Sequence, residues 1–271
     1  MSLPWRDEIG VFLTPSRLVM VRLKRGLRRR VVHEISHPLA DPPGADWRPA
    51  VSALAGFLAV PEWTGAGLRI AVADQWVRQS VVPVAPGIER ESEQRVYARH
   101  WLGQTYGDLG EDWQLALGEG LPGRPFVVAA LPLALVAALR ELAAGAGVPL
   151  LSVTPQLAAT YARWRSQLPI QGWLVSLQAD YLAAARLAVH GWDRIHAVRC
   201  GTDVPAELQR LVVLDRLASG EEGTLRLFVD APPATRAQWQ HVAIEGVEWL
   251  EAGRRPRTAL TAAAQAWGEL A

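Results

Sequence analysis

Ile9-Gly10-Val11-Phe12-Leu13-Thr14-Pro15-Ser16-Arg17-Leu18-Val19-Met20-Val21-Arg22-Leu23 reads as an apolar strand, a short polar turn and a second apolar strand. The same unit returns as Trp173-Leu174-Val175-Ser176-Leu177-Gln178-Ala179-Asp180-Tyr181-Leu182-Ala183-Ala184-Ala185-Arg186-Leu187. Each copy runs into a basic or polar turn, Lys24-Arg25-Gly26 and His190-Gly191. A hairpin that opens each half of a chain implies two halves of similar plan. Neither turn carries an Asp-x-Gly.

The chain has 271 residues, enough for one large domain or two of ordinary size. Half of it is hydrophobic and a fifth is charged, so it supports a sizeable core and does not read as disordered. A formal net charge of +1 gives no field that selects nucleic acid or an acidic membrane as main partner. Arg28-Arg29-Arg30 is read as a solvated turn at the end of a hairpin. Cys200 is the single cysteine, which excludes an internal disulfide and fits a reducing compartment. The opening Met1-Ser2-Leu3-Pro4-Trp5-Arg6-Asp7-Glu8 does not read as a secretory signal. The uncharged stretch from Leu142 to Ala162 holds too many Gly, Pro and polar residues to span a bilayer. The expectation is a soluble cytoplasmic protein. Lys24 is the only lysine, so lysine chemistry would depend on it. Twelve tryptophans are scattered without a repeat, most of them expected in packing.

Working outward from the first hairpin, Val31-Val32-His33-Glu34-Ile35-Ser36 is a third strand, and Asp41-Pro42-Pro43-Gly44 a loop. Asp46 can cap a helix over Trp47 to Ala59, with Val51, Leu54, Phe57 and Leu58 at helical spacing. Leu68 to Ala73 and Val77 to Val84 are β-rich, and Glu89 to Tyr106 is a charged helix with an acidic first turn. Trp113–Leu117 and Pro125–Ala130 pair as strands, and Pro132 opens a helix that Gly145 or Gly147 ends. Leu150–Val153 is a strand, and Pro155 starts a helix to Gln167. After the second hairpin come a strand at Ile195–Val198, a helix at Pro205–Leu217 and a strand at Leu225–Val229. An amphipathic segment near Ala237 and a helix over Thr258–Leu270 close the chain. The mixture gives α/β or α+β layering.

Three motifs tempt and fail on context. His33-Glu34-Ile35-Ser36-His37 matches the zinc-protease string, but that chemistry needs both histidines on one helix face. Valines before and Pro38 after argue for a strand, in which four residues separate the rings by roughly 13 Å. Gly118-Glu119-Gly120-Leu121-Pro122-Gly123 has the dinucleotide-binding spacing, yet a strand follows where a helix N-terminus should meet a pyrophosphate. Cys200 has His196 nearby but no group to orient it, so it reads as a packed thiol.

The order of elements resembles the actin-like pilus and secretion proteins: the type IV pilus assembly protein PilM, the mannose-sensitive-haemagglutinin pilus biogenesis proteins and the cytoplasmic domain of GspL. The resemblance runs through Val77–Val84, the Glu89–Tyr106 helix, Phe126–Pro132 and Leu139–Pro155, and covers nearly the whole chain. It implies an α/β, actin-like (ribonuclease H-like) two-lobed fold with mixed sheets flanked by helices. Residues 1–168 would form the first lobe, with an inserted subdomain at about 74–125, and residues 169–271 the second. By the same resemblance the nucleotide positions fall on Phe12, Thr14, Val19, Leu177 and Ala179, none of which suits phosphate or Mg²⁺. The adenosine turn would fall on Asp230-Ala231-Pro232-Pro233-Ala234, which has no glycine.

The leading expectation is therefore a non-enzymatic scaffold of a type IV pilus or related secretion machine, without cofactor or metal. It would lie on the cytoplasmic side of the inner membrane, reaching the membrane only through partners and binding no nucleic acid. The implied partner is the cytoplasmic tail of a PilN-like or GspL/GspM-like inner-membrane protein, with an assembly ATPase as a further contact. Trp76 and Trp101, expected to be exposed on the first lobe, are the candidate partner anchors. The alternatives are a GspL-like module docking a secretion ATPase and an active actin-like ATPase or kinase.

Overall fold

A computed structural model describes residues 6–24, 26, 30–40, 46–88, 90–107, 109–118, 123–178, 180–201, 203–219, 225–239, 241, 242, 244, 246–251 and 263. The first hairpin is β1 (Glu8–Leu13) and β2 (Arg17–Lys24), continued antiparallel by β3 (Arg30–Pro38). Helix α1 (Arg48–Leu58) follows, then β4 (Gly67–Val72), which lies parallel to β1. The N-cap is Trp47 rather than Asp46, and no side chain caps the helix; Asp46, one residue earlier, accepts at Oδ1 from the Arg48 amide at 3.1 Å. The chain then leaves this sheet for β5 (Arg78–Val82), α2 (Glu91–Tyr106), β6 (Trp113–Leu117) and β7 (Phe126–Pro132), which make a separate antiparallel sheet in the order β5-β7-β6. It returns through α3 (Leu133–Gly145) to β8 (Leu150–Pro155), parallel to β4. The first sheet is thus β3-β2-β1-β4-β8.

After α4 (Gln156–Trp164) the plan repeats. The second hairpin is β9 (Gly172–Gln178) and β10 (Tyr181–Ala188), continued by β11 (Gly191–Arg199). Then come α5 (Val204–Ser219), β12 (Leu227–Asp230), α6 (Pro233–Trp239) and β13 (Val247–Trp249). The second sheet is β11-β10-β9-β12-β13, again three antiparallel strands extended by two parallel ones. Strand β13, three residues long, carries too little pattern to be read from sequence. The expected closing helix over Thr258–Leu270 lies outside the described residues except for Ala263.

Alternation along each strand divides the core. Val11 and Leu13 face Leu54 of α1 and Leu139 of α3. Phe12 and Val19, directly opposite one another in the hairpin, face the other way, onto Ala159 of α4 and Ala263. In the second half Trp173, Val175 and Leu177 pack on Leu208 and Leu211 of α5, while Leu174 packs on Leu157 of α4. Helix α4 therefore serves both sheets, with Ala159 toward the first and Leu157 toward the second. Apolar burial of this kind contributes about 1.5–3 kcal/mol per large side chain.

His33 and His37 lie on β3, opposite Arg22 and Leu18 respectively, and their rings pack against Trp63 and Phe57. The extended spacing that argued against a shared metal is the spacing observed. Gly118 and Gly123 sit at the two sides of the β6–β7 connection, so that glycine-rich segment joins antiparallel strands; its residues 119–122 lie outside the described ones.

Candidate functional site

Parallel strands of an open sheet present their C-terminal ends to a crevice, where such folds bind ligands. Here the ends of β1, β4, β8 and β9 meet around Asp74, in the short 3-10 turn Asp74–Trp76 that follows β4. Asp74 is 1% exposed. Its Oδ1 accepts from Gln79 Nε2 at 2.8 Å, and both oxygens accept from the Leu157 amide at the start of α4, at 3.1 and 3.0 Å. Oδ2 also accepts from Gln178 Nε2 of the second half, at 3.2 Å. One carboxylate thus ties together the first sheet, the small sheet, α4 and the second sheet. Burial pushes its carboxyl up from 3.8 to about 7, against the Leu157 and Gln79 bonds, which favour the ionised form.

Further contacts cross the same junction. Arg199 of β11 donates to Gln75 Oε1 at 3.1 Å and pairs with Asp180 at 2.9 Å. Tyr181, beside Asp180, is pushed up to about 12 by burial, to which the Asp74 charge adds. Thr160 of α4 and Ser176 of β9 lie 3.4 Å apart through their hydroxyls, and Arg163 approaches Asp230 at the end of β12 at 3.5 Å. Burial raises the Asp230 carboxyl, and Arg163 opposes that rise.

The two hairpins have two-residue loops closed by Thr14–Arg17 and Gln178–Tyr181. In structural register Thr14 therefore corresponds to Gln178, and Phe12 to Ser176. The positions expected from sequence, Phe12 with Leu177 and Thr14 with Ala179, are one residue out of step. A one-residue slip moves a strand side chain to the opposite face. Leu177 accordingly points away from the crevice into the α5 core, and the residues that face it are Ser176 and Gln178. Ala179 lies outside the described residues. Thr14 is buried and committed to its own turn, its Oγ1 donating to Arg17 O at 2.9 Å and accepting from the Arg17 amide at 3.1 Å. Val19 is core.

Trp76 does not stand exposed. It is 4% exposed and belongs to the core of the first half, at the end of the 3-10 turn Asp74–Trp76. Trp101 is half-buried on α2, and its Nε1 donates to Ser80 Oγ at 3.1 Å. Cys200 is buried against the α5 core, and burial pushes its thiol up and the His196 imidazole down, opposite to what an activated pair needs. Among the described residues no group of three or more His, Cys, Asp or Glu could hold a metal, and no helix is long and apolar enough to cross a membrane.

A second feature lies on the surface of the first half. β8 is an edge strand of the first sheet and β6 an edge strand of the small sheet, and α3 runs between them. Together they line a groove of about 200 Å³. Leu131, Val136, Leu150, Leu151 and Val153 make its apolar part, and Gln114, Arg140 and Ser152 its polar part. Leu151 is 46% exposed there. Among the described residues β8 pairs with β4 alone, so its other edge presents a row of backbone donors and acceptors. No sequence pattern marked this groove, because it forms only when β6 and β8, more than thirty residues apart, come together.

No family model matches the sequence, and no curated protein matches it. The likeness is in structure. A PilM–PilN type IV pilus biogenesis complex matches with a TM-score of 0.65 at 14% identity, over 98% of this chain and 98% of that one. A Bacteroides thetaiotaomicron protein with an actin-like ATPase fold and unknown function matches at 0.61 and 8% identity, over 97% and 96%. The cytoplasmic domain of EpsL, an inner-membrane component of the Vibrio cholerae type II secretion system, matches at 0.56 and 13% identity, over 96% and 94%. The fold is actin-like: two lobes of one plan, each a mixed sheet flanked by helices, with the small sheet inserted in the first.

Proposed function

We propose that this chain is a non-catalytic scaffold of a type IV pilus or type II secretion assembly, working at the cytoplasmic face of the inner membrane. Its partner would be the cytoplasmic tail of an inner-membrane assembly protein of the PilN or GspL/GspM kind, held in the groove between β6, α3 and β8. The observation that carries the reading is the state of the crevice. The residues that a nucleotide would have to approach are already engaged, Thr14 with Arg17, Ser176 with Thr160 and Gln178 with Asp74. Tight approach to phosphate needs glycine at such turns, and magnesium needs free carboxylates. The actin-like fold shared with the PilM–PilN complex and the EpsL domain supports the same setting.

The groove supports the mode of binding. An extended segment can add its backbone to the edge of β8 that is unpaired among the described residues and place an apolar side chain on Leu151 and Val136, while Arg140 meets an acidic residue at the rim. The test is binding of the synthetic tail of the single-span protein encoded beside this chain. We expect saturable binding that Leu151→Asp or Arg140→Glu weakens about tenfold or more, with unchanged melting temperatures since both side chains are exposed. Tail binding that both variants leave intact would remove the groove from the proposal.

A further inference from the structure

We propose that the outer face of α2 is a self-docking surface, on which a second copy of this chain packs its own α2 antiparallel about a two-fold axis at Val96. The inference does not rest on the partner reading, and the α2 groove shares no residue with the groove at β8. Helix α2 is apolar on two sides. Ala98 and Leu102 are buried in the core of the small sheet with Leu115 and Val128. On the outer side Ile88, Ser92, Glu93, Val96, Tyr97 and His100 line an open groove of about 540 Å³, in which Val96 is 73% exposed. An exposed valine flanked by an isoleucine and a tyrosine, with a polar residue at each end, has the make-up of a docking surface.

The charges of the groove select the occupant. Among the described residues that line it, Glu93 is the one acid and His100 the one base, and they lie at opposite ends. Each residue advances a helix by about 1.5 Å, so Glu93 lies about 4.5 Å before Val96 and His100 about 6 Å after it. An antiparallel copy centred on Val96 reverses that order and brings its His100 level with Glu93 to within about 1.5 Å along the axis. The two-fold repeats the pair at the other end, with valine on valine between them. Gln104 Nε2 lies 3.1 Å from His100 Nε2 and can only donate, so the neutral ring carries its hydrogen on Nδ1, as the donor for a carboxylate. Glu93 accepts from the Arg90 amide at 3.2 Å, and a carboxylate accepts several such bonds at once. Glu91, the other acid of the first turn, pairs with Arg95 at 2.7 Å. Opposed macrodipoles favour the same arrangement. A parallel copy would set Glu93 on Glu93, and a partner of one charge would satisfy only one end of the groove.

The experiment is sedimentation equilibrium of the whole chain over a series of concentrations. We expect a reversible dimer that dissociates in the micromolar range, as suits a small interface. Val96→Asp, Glu93→Arg and His100→Glu should each weaken it about tenfold or more, with circular dichroism melts checking that each variant is folded. Mixing the two charge variants in equal amounts is the decisive arm. In the mixed dimer Glu93→Arg meets His100→Glu at one end, and the native Glu93 and His100 meet at the other. The mixture should dimerise about as tightly as the parent, while each variant alone does not. If Glu93→Arg, which also gives up the Arg90 contact, does not fold, Val96→Asp decides, since that side chain is exposed. A chain that stays monomeric at every concentration, or a dimer that the variants leave intact, would overturn the proposal. So would folded charge variants that dimerise no better mixed than alone.

Discussion

At the scale of single residues, Asp74 carries the sharpest energetic signature. Its carboxyl sits at about 7 in the folded chain against an ordinary 3.8, because burial outweighs the N–H donors around it. Between those values the folded chain keeps a proton that the unfolded chain has released. Stability from this group is therefore full below about pH 4 and is lost as pH rises toward 7, at up to about 1.4 kcal/mol per pH unit. Asp74→Asn should remove that slope, which urea midpoints measured across the interval would show. An unchanged slope in the variant would mean that another group sets it. Nothing in the sequence flagged Asp74, since Asp74-Gln75-Trp76 matches no motif. The one available sign was its place just beyond the C-terminal end of an apolar strand.

At the scale of elements, each sheet is built around the first strand of its hairpin, and the alternation of apolar residues made that hairpin readable. The same alternation is where the site reading slipped. Trp173, Val175 and Leu177 form the bulkier of the two faces of β9 and go to the α5 core, which leaves Ser176 and Gln178 toward the crevice. The second sheet also has a demanding backbone contact. Gly246, at φ +78°, precedes β13, and a Cβ there would overlap the carbonyl oxygen of Leu225. The Leu227 amide donates to Gly246 O at 2.8 Å, so the two segments cannot part without losing a bond between β12 and β13. Gly246→Ala should cost on the order of 1–3 kcal/mol from strain alone, seen as a lower denaturation midpoint. A midpoint within error of the parent would show that the segment relaxes freely.

At the scale of the whole molecule, the doubled hairpin was legible because it rests on local pattern, whereas the order of strands in each sheet was not. Nor were the groove and the Asp74 junction, because they depend on β6 with β8, and on Asp74 with Leu157 and Gln178, coming together from distant parts of the chain. The two features divide the proposed work. In that proposal the crevice holds the lobes together by hydrogen bonds, and the edge of β8, unpaired among the described residues, is the surface offered to a partner. The most direct test of that division is a thermal melt with and without excess Mg²⁺–ATP. A ligand at ~100 times its Kd adds about 2.7 kcal/mol to the native state. The account predicts a melting temperature that Mg²⁺–ATP leaves unchanged, and a saturable rise of several degrees would contradict it.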